Sequence, residues 1–246
     1  MGKVVLGFLT LLIITGACSK DNPLRVQNGY AGDAAEVILG DNRYEKLILE
    51  VAYPKGYALE QGAVNSLVDF IEQYARKPKG IEVVYNELDL PAKDRNSNAI
   101  RQIEDVFRTT KASGDELSIF LFVNNGGSPQ DQGDSKVLGV AYGSTSFALY
   151  GESINENTGG VFGVSKREAE TTVLKHEMGH LMGLVNNGSD MVQYHQDAEH
   201  GKHCNVESCL MYWAVETNQV FSLLGGGSTP DLDSRCEADL RANGGK

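Results

Sequence analysis

All five histidines of this 246-residue chain lie between positions 176 and 203. Five residues scattered at random would share so short a window about once in a thousand chains, so the cluster asks for a chemical explanation. Its first part is His176-Glu177-Met178-Gly179-His180. Val173, Leu174, Met178, Leu181 and Met182 supply apolar positions at helical spacing, which predicts a helix over 165–184. Residues i and i+4 on a helix project from one face, a turn apart, so the two imidazoles can reach one Zn²⁺ at about 2.0–2.1 Å. Glu177 is displaced around the helix, where it can hold a water beside the metal without ligating it, the division of labour in water-activating zinc hydrolysis. A catalytic zinc needs a third protein ligand and an open fourth position. Gly183 lets the helix end and the chain turn back. Asn186, His195, His200 and His203 are then the candidates for the third ligand.

The H-E-x-x-H-x-x-G pattern over 176–183 resembles the metzincin clan of zinc metalloproteases, whose third histidine usually follows the glycine by three residues. Asn186 stands there in this chain. Further on, His203-Cys204-Asn205-Val206-Glu207-Ser208-Cys209-Leu210-Met211 reads H-C-x4-C-x-M, similar to the archaemetzincin branch. The resemblance implies His176, His180 and His203 as ligands of one catalytic Zn²⁺. It further implies Glu177 as the general base for a zinc-bound water and Met211 as the Met-turn beneath the metal. On this alignment 187–202 is an insertion, and it carries His195, the rival third ligand, and His200.

Archaemetzincins also hold a structural zinc through the C-x4-C pair and a later C-x-x-C pair. Here only Cys236 remains downstream. A Cys204–Cys209 disulfide with Cys236 as a buried free thiol is therefore the expectation in an oxidising compartment. Three cysteines and a histidine on a second zinc are the alternative. Tyr212 and Trp213 are assigned to packing, and Asp131 and Asp134 to a solvated loop.

The elements that must position these residues are legible upstream. A short helix over 33–39 precedes a strand over 47–53, a helix over 61–76, a strand over 81–88, a helix over 97–111 and the strand 117–123. The last, LSIFLFV, is apolar on both sides and is expected at the centre of the sheet. After the polar loop 124–136, two short strands over 137–142 and 147–150 follow, one of them an antiparallel edge. The order β-α-β-α-β predicts a mainly parallel sheet. Beyond Tyr212 the pattern is irregular. Gly225–Gly227 makes a turn, and Leu232, Cys236 and Leu240 mark a closing helix. The fold class is thus α/β with an α+β character: a metzincin-like mixed sheet, an active-site helix and a small C-terminal subdomain. The boundaries are 46–185 for the N-terminal catalytic subdomain and 186–246 for the C-terminal one.

Residues 1–17 (MGKVVLGFLTLLIITGA) combine a positive Lys3 with an apolar run of signal-peptide length, too short for a membrane span. Gly16 and Ala17 precede Cys18, which resembles a bacterial lipoprotein signal with Cys18 as the lipidated residue, and 18–45 read as tether and linker. The segment HGKHCNVESCLMYW over 200–213 also looks like bacterial lipoproteins described as membrane metalloproteases. The net charge of −11 argues against a nucleic-acid partner.

The combined expectation is a zinc metalloendopeptidase of the bacterial cell envelope, held to the membrane only by lipid. Its substrate is a peptide laid as a strand along the sheet edge near 137–150. The alternative is a non-catalytic zinc-containing surface domain, whose signature would be a fourth protein ligand in the water position.

Overall fold

The computed structural model describes residues 29–159, 163–224 and 228–246. The expected signal 1–17, Cys18 and the Gly225–Gly227 turn lie outside these residues. Among the described residues no helix is long and apolar enough to cross a membrane.

The chain runs α1 (Ala35–Leu39), β1 (Lys46–Pro54), α2 (Gln61–Tyr74), β2 (Ile81–Leu88), α3 (Ser97–Phe107), β3 (Glu116–Asn124), β4 (Gly139–Gly143) and β5 (Ser146–Tyr150). It continues with α4 (Gly151–Asn157), α5 (Lys166–Leu181), a 3-10 turn (Trp213–Glu216), α6 (Val220–Leu223) and α7 (Ser234–Ala242). The five strands form one sheet in the order β2-β1-β3-β5-β4. β1 pairs in parallel with both β2 and β3, β3 with β5 in parallel, and β4 with β5 in antiparallel. The mixed α/β sheet, the central place of β3 and the antiparallel edge strand are as the sequence predicts.

β3 reads as a continuous apolar run because both its faces are covered. Leu117, Ile119 and Leu121 join the large core with Leu47, Leu49, Val51 and α5. Phe120 and Phe122 face a second cluster with Ile100, Ala148 and Tyr150. Each such side chain taken out of water contributes roughly 1.5–3 kcal/mol.

α3 ends at Phe107, four residues before the predicted boundary. The reason is a buried carboxylate on the sheet. Glu50 accepts hydrogen bonds from the Thr109 and Thr110 amides (2.9 and 2.8 Å) and from Thr110 Oγ1 (2.8 Å), which requires an extended chain there. Helix α4 was not legible. Its sequence, GESINEN, is polar with one large apolar residue, Ile154, and it is shaped by packing of that residue into the core.

Helix α5 starts on a capping box: Ser165 Oγ accepts from the Glu168 amide, and Glu168 Oε2 accepts from the Ser165 amide. From Ala169 to Leu181 every residue except Lys175 is buried. It lies between the sheet and the segment that follows Met182, so it carries its polar residues inward. That arrangement brings His176, Glu177 and His180 into the interior.

Candidate metal centre

α5 ends at Leu181, and Gly183 adopts φ +82°, the left-handed conformation that turns the chain. Val185 (φ +56°) and Asn186 (φ +57°) follow in the same region. For a β-branched valine this is strained backbone, held by complete burial of its side chain. The chain then passes through 187–202 and returns at His203.

Three imidazoles converge at this return. His176 and His180 bring their Nε2 atoms to 3.1 Å of each other. The rings of His176 and His203 stack with centroids 5.4 Å apart, and His203 lies edge-on to His180 at 5.1 Å. Each of the outer two is oriented by a backbone carbonyl on its other nitrogen. His176 Nδ1 donates to Leu210 O, and His203 Nδ1 donates to His200 O, both at 2.7 Å. These contacts fix the tautomer and leave both Nε2 lone pairs facing the centre. His203 Nε2 is buried.

A fourth group completes the cluster. Glu216, at the end of the 3-10 turn, places Oε1 3.0 Å from His180 Nε2, 3.1 Å from His203 Nε2 and 3.6 Å from His176 Nε2. Burial would raise its pKa, but the three imidazoles hold it well below the usual carboxylate range. Burial pushes the His180 imidazole down to about 4, so it is neutral and able to ligate.

Glu177 stands beside this cluster, fully buried. Among the described residues its carboxyl group has no side-chain partner, and the Ala141 amide of the edge strand is its one polar backbone neighbour. Burial, and then the charge of Glu216, hold its pKa well above the ordinary value. It faces the edge strand: a Cβ added to Gly139 would fall 2.5 Å from Glu177 Oε1. The cluster opens on a cleft of about 420 Å³ whose walls include Tyr30, Val140, Tyr142, His180 and Glu216. A larger hollow of about 650 Å³ beside α1 contains none of the histidines. Below the cluster Met211 is buried, and a Cβ at Gly179 would run into its sulfur.

The remaining candidates go elsewhere. Asn186 is exposed. His200 pairs with Asp197 Oδ2 at 3.0 Å and stacks on Trp213 at 4.2 Å, so Trp213 packs against the loop that carries His203. His195 stands apart from the triad in a second cluster. Its Nδ1 lies 3.4 Å from Cys204 Sγ and 3.7 Å from Cys236 Sγ, and Cys209 Sγ lies 3.6 Å from Cys236 Sγ.

The expected Cys204–Cys209 disulfide is absent: Cys204, Cys209 and Cys236 are all free and buried. Cys204 is turned toward His195 and Asp233, and Cys209 toward Cys236, because α7 brings Cys236 against both Cys209 and His195. Cys236 is a buried free thiol, as expected, but it is one of a group.

Glu216, Asp233 and Asp239 were not foreseen. Nothing distinguishes them among 33 acidic residues, and none falls at a fixed distance from a ligand motif.

Both clusters fit a metal by their spacing. Donors at about 2.0–2.1 Å from a tetrahedral zinc are about 3.3–3.4 Å apart, and with thiolates at about 2.3 Å the separations become about 3.5–3.8 Å. The nitrogen and oxygen separations of 3.0–3.6 Å and the sulfur and nitrogen separations of 3.4–3.7 Å straddle or meet these values.

No family model matches the sequence, and no curated protein matches it. Solved structures do match. Archaemetzincin from Methanopyrus kandleri aligns over 82% of this chain and 96% of its own at 19% identity, with a TM-score of 0.51. A zinc-dependent peptidase from Methanocorpusculum labreanum aligns over 78% of this chain and 99% of its own at 13% identity and TM-score 0.46. Metalloproteinase-II from Bacteroides fragilis aligns over 83% of this chain and 54% of its own at 15% identity and TM-score 0.44. The chain shares the fold of archaemetzincin.

Proposed function

We propose that the protein is a zinc-dependent peptidase, with His176, His180 and His203 as metal ligands and Glu177 as general base. The observation that carries this reading is the convergence of three imidazoles beside a buried carboxyl group with no side-chain partner of its own. A structural site has no use for such a group, and burying it unpaired costs about 1–3 kcal/mol. A zinc ion bound there would polarise the scissile carbonyl and make water a nucleophile near neutral pH. Glu177 takes the proton from the attacking water and delivers it to the leaving amine. The chain's other contribution is alignment. β4 is an edge strand whose free backbone groups can pair with an extended peptide, and Gly139 leaves room between that strand and Glu177. Endopeptidase action follows from a cleft open along the strand. Zinc analysis and peptide cleavage test this reading. The protein should hold zinc at this site and cut unstructured peptides, His203→Ala should lose the cleavage and the zinc of this site, and full activity in Glu177→Ala would end the proposed mechanism.

His195, Cys204, Cys209 and Cys236 are proposed as a second, closed zinc site of structural type. Its support is the free thiols, the approach of Cys204 and Cys236 to His195 Nδ1, and the contact of Cys209 with Cys236; Asp233, which lies within 4.8 Å of His195, Cys204 and Cys236, is the rival fourth ligand. Two zinc ions per chain are then expected in place of the single one read from the sequence.

Export and anchoring through a lipidated Cys18 remain part of the proposal, supported by the apolar run Val4–Ala17 and the small residues before Cys18. Labelling with a radioactive fatty acid should mark the protein and should fail in Cys18→Ala.

The rival reading, a non-catalytic zinc domain, is favoured by one observation: Glu216 stands where a hydrolytic site would keep a position open. Glu177 weighs against that reading.

A further inference from the structure

Glu216 has no part in the hydrolytic reading, yet it is the best-placed fourth donor in the cluster. Its Oε1 contacts the Nε2 of all three histidines at 3.0–3.6 Å, His176 and His180 are 3.1 Å apart, and all four ligand atoms lie within 4.8 Å of one another. Carboxylate oxygen is an ordinary zinc ligand at about 2.0–2.2 Å.

The backbone holds Glu216 in place from two sides. Its carbonyl accepts from the Leu138 amide at 2.8 Å, just before the edge strand, and Val137 bridges to Thr217. On the other side the 3-10 turn follows directly from Met211, whose carbonyl accepts from the Cys204 amide at 2.7 Å. The backbone is thus tied to both the edge strand and the third-histidine loop. The side chain is not so confined: it is 31% exposed and lines the cleft. Its exposed part faces the cleft, whereas Glu177 is at 0% exposure.

We propose that Glu216 is the fourth protein ligand of the metal in the resting protein, and that peptide hydrolysis requires its displacement into the cleft. This rests on the reading of His176, His180 and His203 as zinc ligands. The exchange is a simple substitution. With zinc bound, displacement would exchange one carboxylate–zinc bond for one bond to a neutral oxygen donor, with Glu216 keeping its charge in the cleft and no change of oxidation state. The consequence is a peptidase of low resting activity. Glu216 lines the same cleft as β4, and Val137 bridges to Thr217, so the segment that would align a peptide is tied to the group that must move.

The test is calorimetric binding of acetohydroxamate to the full, zinc-loaded protein and to Glu216→Ala, Glu216→Gln and Glu216→Asp, with zinc counted in each. A hydroxamate needs the position that Glu216 holds. Binding at least tenfold tighter in Glu216→Ala and Glu216→Gln, with zinc content unchanged, supports the assignment. Glu216→Asp keeps the charge but withdraws the carboxylate by one methylene, and it too should bind more tightly than the parent. Equal affinity in all four proteins overturns the proposal, as does a parent-like value in Glu216→Asp alone, which would assign the effect to charge. If His203→Ala retains as much zinc as the parent, the three-histidine reading itself fails, and the proposal falls with it. A failure confined to Glu216 leaves that reading standing.

Discussion

His195 and Asp239 form a fully buried pair, with Nε2 of the imidazole 2.8 Å from Oδ2 of the carboxylate. The contact joins the 187–202 loop to helix α7 and leaves Nδ1 aimed at the sulfurs of Cys204 and Cys236. A carboxylate on the far nitrogen of a metal-binding imidazole orients the ring and raises its basicity. On that basis His195→Ala should reduce zinc from two ions to one per chain and lower the melting temperature. Asp239→Asn should keep both ions but weaken the second by about 10- to 100-fold in chelator competition. Loss of peptidase-site zinc in either variant, with the thiolate site still filled, would reverse the assignment.

Replacing Glu177 by Gln preserves size and removes the proton acceptor. Activity on peptides should fall by about 10²–10⁴-fold, the range of a positioned general base, while zinc content stays the same. The metal-free protein should become more stable at pH 7, because burial and the charge of Glu216 raise the Glu177 pKa in the folded state and a Gln has no proton to hold there. Thermal melts of the two apo proteins measure this. Opposite signs for activity and stability distinguish a catalytic carboxylate from a structural one.

Gly179 tests the floor of the site. Glycine inside a helix ordinarily costs about 0.5–1 kcal/mol relative to alanine, so Gly179→Ala would be stabilising in an open helix. Here the new methyl meets Met211 Sδ, with Met211 Cε at 3.2 Å and Leu184 Cδ1 at 3.3 Å. Overpacking of this kind costs about 1–3 kcal/mol, which outweighs the helix-propensity gain. Gly179→Ala should therefore lower stability in denaturant unfolding and weaken zinc binding. A more stable variant would show that Met211 does not press on α5.

Glu170 supplies a dependence on pH away from the metal. It is 2% exposed, accepts from the Glu60 amide at 2.8 Å and has Lys166 at 3.6 Å. Burial outweighs these partners and pushes its pKa up to about 7. A carboxyl whose folded pKa exceeds its unfolded value makes the folded state bind more protons between the two. Its contribution is favourable below about 4.5 and is lost as pH rises toward 7. Glu170→Gln should match the parent near pH 4 and exceed it at pH 8 by at most about 3 kcal/mol. A pH-independent difference between the two melting curves would assign the shift to another group.

Much of the site could be read in the sequence because its signal is local. The spacing from His176 to His180 is one helical turn, and the apolar pattern of 173–182 states which way the helix lies. The capping box at Ser165 and the left-handed Gly183 bound that helix by chemistry confined to a few residues. The β-α-β-α-β order likewise dictated a mainly parallel sheet, since a parallel pair needs a crossover and crossovers have one hand. The doubly apolar β3 dictated a central strand.

Which of the later histidines joins the pair was another matter. His195, His200 and His203 lie on a loop long enough to offer any of them, so loop length alone could not choose. Tertiary structure chose through contacts between distant segments. Asp239 on α7 draws His195 toward the thiols, Trp213 stacks on His200, and the His200 carbonyl holds His203 over the helix. The same docking of α7 placed Cys236 against Cys209, where a disulfide between nearer neighbours was expected. It also left Glu216, unmarked by any motif, among three imidazoles. Periodicity and short motifs set what each segment becomes, because those forces act within a few residues. The set of groups that converge in the cluster was decided by packing between residues far apart in the chain, and a linear pattern carries no record of those distances.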